Sequence, residues 1–159
     1  MTNDQIEERK RLLFLADVVQ AEAKHLLATD AALFAKSITT QDLNNIGDNL
    51  ALTERIDAFA ARFGRLQDTL GDKLMPALFN FLLEKVGPVI DNLNRAEKLG
   101  WLESAQAWQD IRGMRNRLIH EYIVDMQVLA EALNDAHVAV PLLVQAMHNM
   151  VREVKARIS

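Results

Sequence analysis

The sequence predicts an all-α protein, an up-and-down helical bundle of roughly four to six helices. Three observations carry that prediction. Apolar residues recur at spacings of three and four along most of the chain. Only six Gly and three Pro occur in 159 residues, half of which are apolar, while strong helix formers such as Ala, Leu, Glu and Lys are plentiful. Breakers such as Gly87-Pro88 and Gly100 fall where one apolar stripe gives way to the next.

The first helix is expected from Asn3 or Asp4 to Leu27, because Leu12, Leu13, Leu15, Ala16, Val19, Ala23, Leu26 and Leu27 keep helical spacing. Asp4 and Glu7 read as its capping pair. Thr29 to Thr40 is less regular, with one further turn between Ala31 and Lys36. Thr40 or Asp42 is a candidate cap for the next helix. From there to Lys85 the pattern is helical, with Leu52, Ile56, Phe59, Phe63, Leu66 and Leu70 on one stripe. Gly64 weakens that stripe and Gly71 is a candidate end, with Asp72 capping the next segment and Pro76 in its first turn. One bent helix and two consecutive helices both satisfy the pattern. Leu74, Leu78, Phe79, Leu82, Leu83 and Val86 continue the apolar face.

Gly87-Pro88 marks a stop and a new start, so a short helix is expected from Pro88 to Leu99, stopped by Gly100. Glu103 to about Ile119 is the next, with Trp108, Ile111, Met114 and Leu118 inward. Asp125 is the expected cap of a last helix, Met126 to Arg157, kinked or broken at Pro141. Trp101 and Trp108 stand seven apart, a spacing that packs one helix face. Met147, Met150 and the run Val138 to Val144 read as core or dimer interface.

The length suits one domain spanning residues 1–159. The absence of cysteine excludes disulfides and thiolate metal sites. A polar N-terminus without a signal-peptide core, and no apolar run of about 18 residues, point to a cytoplasmic protein. A net charge of −4 and a pI near 5.5 are not those of a simple basic nucleic-acid binder. Contact with RNA must then come from a local basic cluster.

Such a cluster exists. Arg112-Gly113-Met114-Arg115-Asn116-Arg117-Leu118-Ile119-His120-Glu121-Tyr122 gathers three arginines, an amide, an imidazole and a phenol. On an ideal helix Arg115 and Tyr122 are ~20° apart, and Asn116 and His120 ~40° apart. Arg115 and His120 are ~140° apart. Either the helix breaks near Ile119, or two copies of the motif meet across a two-fold dimer. RNA cleavage by the neighbouring 2′-hydroxyl needs a base that titrates near neutrality, and histidine is the natural one. It also needs donors aimed at the charge growing on the phosphorus oxygens, which a guanidinium fork supplies. No carboxylate cluster for two metals is apparent, which suits that chemistry.

This stretch resembles the signature of the HEPN superfamily, and Arg115, four residues, His120, one residue, Tyr122 is the form found in HepT-like toxins. The specific part is about eleven residues; the likeness extends loosely to the chain as a small helical domain. The resemblance implies a metal-independent endoribonuclease toxin with no cofactor, its site composed at a homodimer interface. Arg115 and His120 would be catalytic and Asn116 would position them, with weaker RNA contacts from Arg112 and Arg117. It also implies an antitoxin partner, a minimal nucleotidyltransferase (MNT type) that AMPylates Tyr122 and so blocks RNA with phosphate and adenosine. The chain departs from the simplest expectation in its acidic balance and in Glu121 beside His120.

Two readings of other classes compete. One is a non-catalytic substrate- or nucleotide-binding subunit of a nucleotidyltransferase; the other is a plain helical adaptor. Glu22-Ala23-Lys24-His25 has the Glu-x-x-His spacing of di-iron bundles, but His120, His137 and His148 lack the second copy, so no metal is expected and His25 reads as surface. Arg9-Lys10-Arg11, Arg62 and Arg65 read as solvated charge.

Overall fold

The computed structural model describes residues 1–120 and 125–158, with the backbone alone at position 120. Helix α1, Asn3–Leu33, is followed by a short α2, Thr40–Asn44, and by α3, Leu50–Thr69. A π turn, Leu70–Leu74, joins α3 without a break to α4, Met75–Phe81. Then come α5, Val89–Lys98, α6, Ala105–His120, and α7, Met126–Ile158. There is no strand among the described residues. The all-α bundle expected from the apolar spacing is what the chain forms.

Helix α1 starts on Thr2, whose hydroxyl accepts from Gln5 N–H while the Gln5 side chain accepts from Thr2 N–H. This reciprocal box sits two residues ahead of the expected Asp4–Glu7 pair, because Thr2 meets Gln5 with the same spacing. The helix also runs through Thr29 to Leu33, past the expected end at Leu27. Thr29 and Leu33 are buried and continue the inner face, so packing carries the helix on. Leu13 and Leu27, by contrast, fall on the exposed side. For α2 the cap is Thr39, with Asp42 reaching back to Thr39 N–H at 3.0 Å.

Of the two arrangements open for residues 50–81, the continuous rod is the one formed, with the π turn set into it. Gly71 does not end it. A Cβ at Gly71 would lie 3.2 Å from Trp108 Cζ2, so this glycine makes room for the indole of α6. The rod stops at Leu83, a leucine at φ 58°, where Glu84 N–H donates to Phe79 C=O at 2.8 Å. This is earlier than the Lys85 end expected from the apolar pattern, since Leu83 is 94% exposed and has no core to join. Pro76 does stand in the first turn of α4.

Gly100, at φ 80°, closes α5 as expected. Trp101 and Trp108 do not share a helix, because α6 begins only at Ala105. Trp101 lies in the preceding link, buried, with its ring 5.0 Å from that of Phe79. Asp125 caps α7 by accepting from Gln127 N–H at 2.9 Å. Pro141 does not break α7, which is continuous across it. The proline faces solvent, where a freed carbonyl can meet water, while Val140, Leu143 and Val144 are buried and hold both halves to one core. Helix α1 packs on α3 and α7, and α6 lies between α3 and α7. That last placement gives α6 two flanks, and the motif residues divide between them.

No helix among the described residues is long and apolar enough to cross a membrane. His25 is exposed as expected, and no group of three or more His, Asp or Glu is placed to hold a metal among the described residues.

Candidate functional site

Helix α6 forms because Ala105, Trp108, Ile111 and Leu118 keep helical spacing and bury one side. Ser104 starts it, its hydroxyl accepting from Ala107 N–H at 2.9 Å. The backbone stays helical through His120. A break near Ile119, one of the two ways of bringing Arg115 and His120 together, is therefore not used ahead of the histidine.

Arg115 turns toward α3. Its stem crosses Gly64 so closely that a Cβ there would sit 3.3 Å from Arg115 Cγ. Beyond the glycine, one guanidinium nitrogen, Nη2, donates to Asp68 Oδ2 at 2.9 Å. The other, Nη1, donates to Asn116 Oδ1 at 3.2 Å. Nε is buried and has no acceptor among the described residues. The side chain as a whole is 27% exposed, so the fork is packed along its stem and reachable at its tip.

That tip opens into a groove of about 490 Å³ between α3 and α6. Arg65, Asp68, Thr69, Asp72 and Lys73 line its α3 side, and Arg115 and Ile119 its α6 side. On an unbroken α-helix Lys73 would stand ~80° round from Arg65. The wider π turn draws it back toward the groove. Glu22 of α1 approaches from below, where Thr69 Oγ1 donates to its Oε2 at 3.1 Å. Burial pushes the Glu22 carboxyl above its ordinary value; the Thr69 hydrogen bond and then Arg65 and Lys73 oppose that rise, and Asp68 adds to it.

Asn116, the next residue in the chain, is brought to Arg115 by the bond from Nη1. Arg112 and Arg117 are not. Arg112 is exposed and lines a separate small crevice with Gly71, Asn92 and Trp108. Arg117 faces the other flank, 3.7 Å from Asp135 of α7. Tyr122 and Glu121 lie outside the described residues, as does the His120 side chain.

The residues that sequence reading missed are Gly64 and Asp68, with Glu22 and Lys73 around them. Gly64 was visible as an oddity, a glycine inside an apolar stripe, and Asp68 comes one turn later on the same face.

A family model described as "Ribonuclease HepT-like" matches residues 80–147. This stretch is similar to that family. No curated protein and no solved structure matches the chain. The HepT-like stretch includes α5, α6 and much of α7, and thus Arg115, Asn116, His120 and Tyr122 together. The match agrees with the resemblance drawn from the motif alone and supports an endoribonuclease. Helices α1 to α3, which supply Gly64 and Asp68, lie outside the HepT-like stretch.

Proposed function

We infer that this protein is a metal-independent endoribonuclease toxin of a toxin–antitoxin pair, working through a composite Arg115 and His120 site at the interface of two copies. The observation that carries the reading is Arg115. Within the HepT-like stretch it is laid into an open groove with its guanidinium tip accessible.

In the proposed reaction the His120 imidazole takes the proton of a ribose 2′-hydroxyl. The 2′-oxygen attacks the adjacent phosphorus and the P–O5′ bond breaks. The products are a 2′,3′-cyclic phosphate and a 5′-hydroxyl, whose oxygen recovers the proton. Arg115 stabilises the charge that builds on the non-bridging oxygens, and Asn116, bonded to its Nη1, sets the fork. The ~140° between the two residues on an ideal helix favours pairing across a two-fold axis, where one copy's arginine faces the other's histidine. We further propose that a nucleotidyltransferase antitoxin AMPylates Tyr122, adding negative charge and bulk beside the phosphate path.

The test is cleavage of RNA in EDTA by the wild type and by His120→Ala. Wild-type cleavage that the variant lacks, leaving cyclic phosphate ends, is the expected result. Equal cleavage by both, or none by either, would end this reading. Incubation with the nucleotidyltransferase and ATP should add about 329 Da per AMP to wild type, the general mass of the adenylyl unit, and nothing to Tyr122→Phe.

A further inference from the structure

The geometry points to Asp68 of α3 as the residue that positions Arg115, with Gly64 as the gap that lets the arginine lie down against α3; the inference rests on the nuclease reading above.

A guanidinium on a flexible stem stabilises a transition state only if it is already aimed when charge develops. Three contacts aim this one. Its stem lies over Gly64, its Nη2 donates to Asp68 Oδ2 at 2.9 Å, and its Nη1 donates to Asn116 Oδ1 at 3.2 Å. Asn116 is its chain neighbour and moves with α6. Asp68 belongs to another helix, 47 residues away in sequence, so among the described residues it alone bonds the fork to a second rigid element. Rotation about the arginine stem is thereby fixed from both ends.

The contact runs from one nitrogen to one oxygen. A latch that kept Arg115 from substrate would engage the fork through two nitrogens, the bidentate arrangement that guanidinium and carboxylate favour when nothing else competes. With one bond to Asp68 and one to Asn116, two of the four Nη N–H donors stay uncommitted. The Asp68 side chain is 41% exposed and that of Arg115 27%, so the pair sits at the groove's wall and does not plug it. Asp68 also lowers the freedom of Arg115 without neutralising the groove, because Arg65, Lys73 and Arg115 together outweigh Asp68 and Asp72 among its lining residues.

Asp68→Asn keeps size and hydrogen bonding and removes the charge that holds the fork. Cleavage of a mixed-sequence single-stranded RNA by Asp68→Asn is expected to lose about ten- to a hundred-fold in kcat, with KM within two-fold and Tm unmoved. In an Arg115→Ala background the same change should have no further effect, since Asp68 acts through the arginine. Asp68→Glu, which retains the carboxylate, should recover most of the loss. Nitrogen-15 NMR of the Arg115 guanidinium should show slow rotation in wild type and fast rotation in Asp68→Asn. Unchanged kcat in Asp68→Asn overturns the inference and leaves the nuclease reading intact, and so does a raised kcat, the mark of a latch. If wild type itself fails to cleave, both fall together.

Discussion

The two flanks of α6 treat the same side chain in opposite ways. Toward α3, Arg115 lies on a glycine, meets Asp68 at 2.9 Å and is 27% exposed. Toward α7, Arg117 meets Asp135 at 3.7 Å, with the two side chains 38% and 53% exposed. The arginines stand two residues apart, ~200° round an ideal helix. The Arg117 pair has the hallmarks of a solvated surface contact, worth about 0–1 kcal/mol. The Arg115 pair is shorter and half-buried and carries a buried Nε without an acceptor among the described residues. A buried donor of that kind is costly in a fold that has no use for it. Residue type does not distinguish the two arginines; the surface each one is folded against does, on top of the motif position that only Arg115 holds.

The sharpest way to break this comparison is to remove each arginine in turn. Arg115→Ala should lower RNA cleavage by about a hundred- to a thousand-fold in kcat, the scale seen when a preorganised donor to the developing charge is lost. Arg117→Ala should stay within about two-fold and change stability by less than about 1 kcal/mol. Rates and urea unfolding curves of both variants, measured side by side, decide it. Similar losses from the two would mean that the flanks are functionally equivalent.

A milder change separates aim from stability. Gly64→Ala places a methyl 3.3 Å from Arg115 Cγ and 3.7 Å from Ile119 Cδ1, so the arginine stem must shift by a few tenths of an ångström. In a helix interior the same substitution favours folding by roughly 0.5–1 kcal/mol. The expected outcome is a Tm about 2 °C higher together with a kcat several-fold lower. Stability and activity moving up together would show that Gly64 is only a weak point in α3.

Much of the α6 side of this site was legible in the sequence. The eleven-residue motif, the Gly100 stop, the Asp125 cap and the inward Trp108 and Ile111 all come from local spacing, and local spacing is what a helix obeys. The α3 side was not. Asp68 meets Arg115 only because α3 packs on α6, and nothing local to either helix sets that pairing. Gly64 and Gly71 read as flaws in a stripe because a glycine's value here lies in what another helix puts over it: Arg115 at one and Trp108 at the other. Trp101 misled for a related reason. Its seven-residue spacing from Trp108 is helical, but Gly100 and the bends after it delay α6 until Ala105. The further turn expected from Ala31 is in part formed, but as an unbroken continuation of α1 to Leu33, held by the tertiary burial of Thr29 and Leu33.

The smallest expected effect concerns the charge crowded beneath the α3 flank. Glu22 is half-buried under the groove, and burial raises its carboxyl above the ordinary value of 4.5. Thr69 Oγ1 lies 3.1 Å from its Oε2 and 2.9 Å from the Arg65 carbonyl, with one hydrogen to give to either. A carboxyl whose folded pKa is raised binds its proton more tightly in the folded state. Its contribution to stability is complete below the ordinary value and is lost as pH climbs through the raised one. At pH 7 the ionised Glu22 is therefore a liability that a neutral isostere lacks. Glu22→Gln should melt slightly higher than wild type at pH 7, and the two Tm values should converge as pH falls to about 4, where both side chains are largely uncharged. No charged residue on the α7 flank of α6 is expected to give that pattern, and Asp135→Asn provides the control. A wild type more stable than Glu22→Gln at pH 7 would show that Arg65 and Lys73 outweigh burial, and that the α3 flank is electrostatically as relaxed as the other.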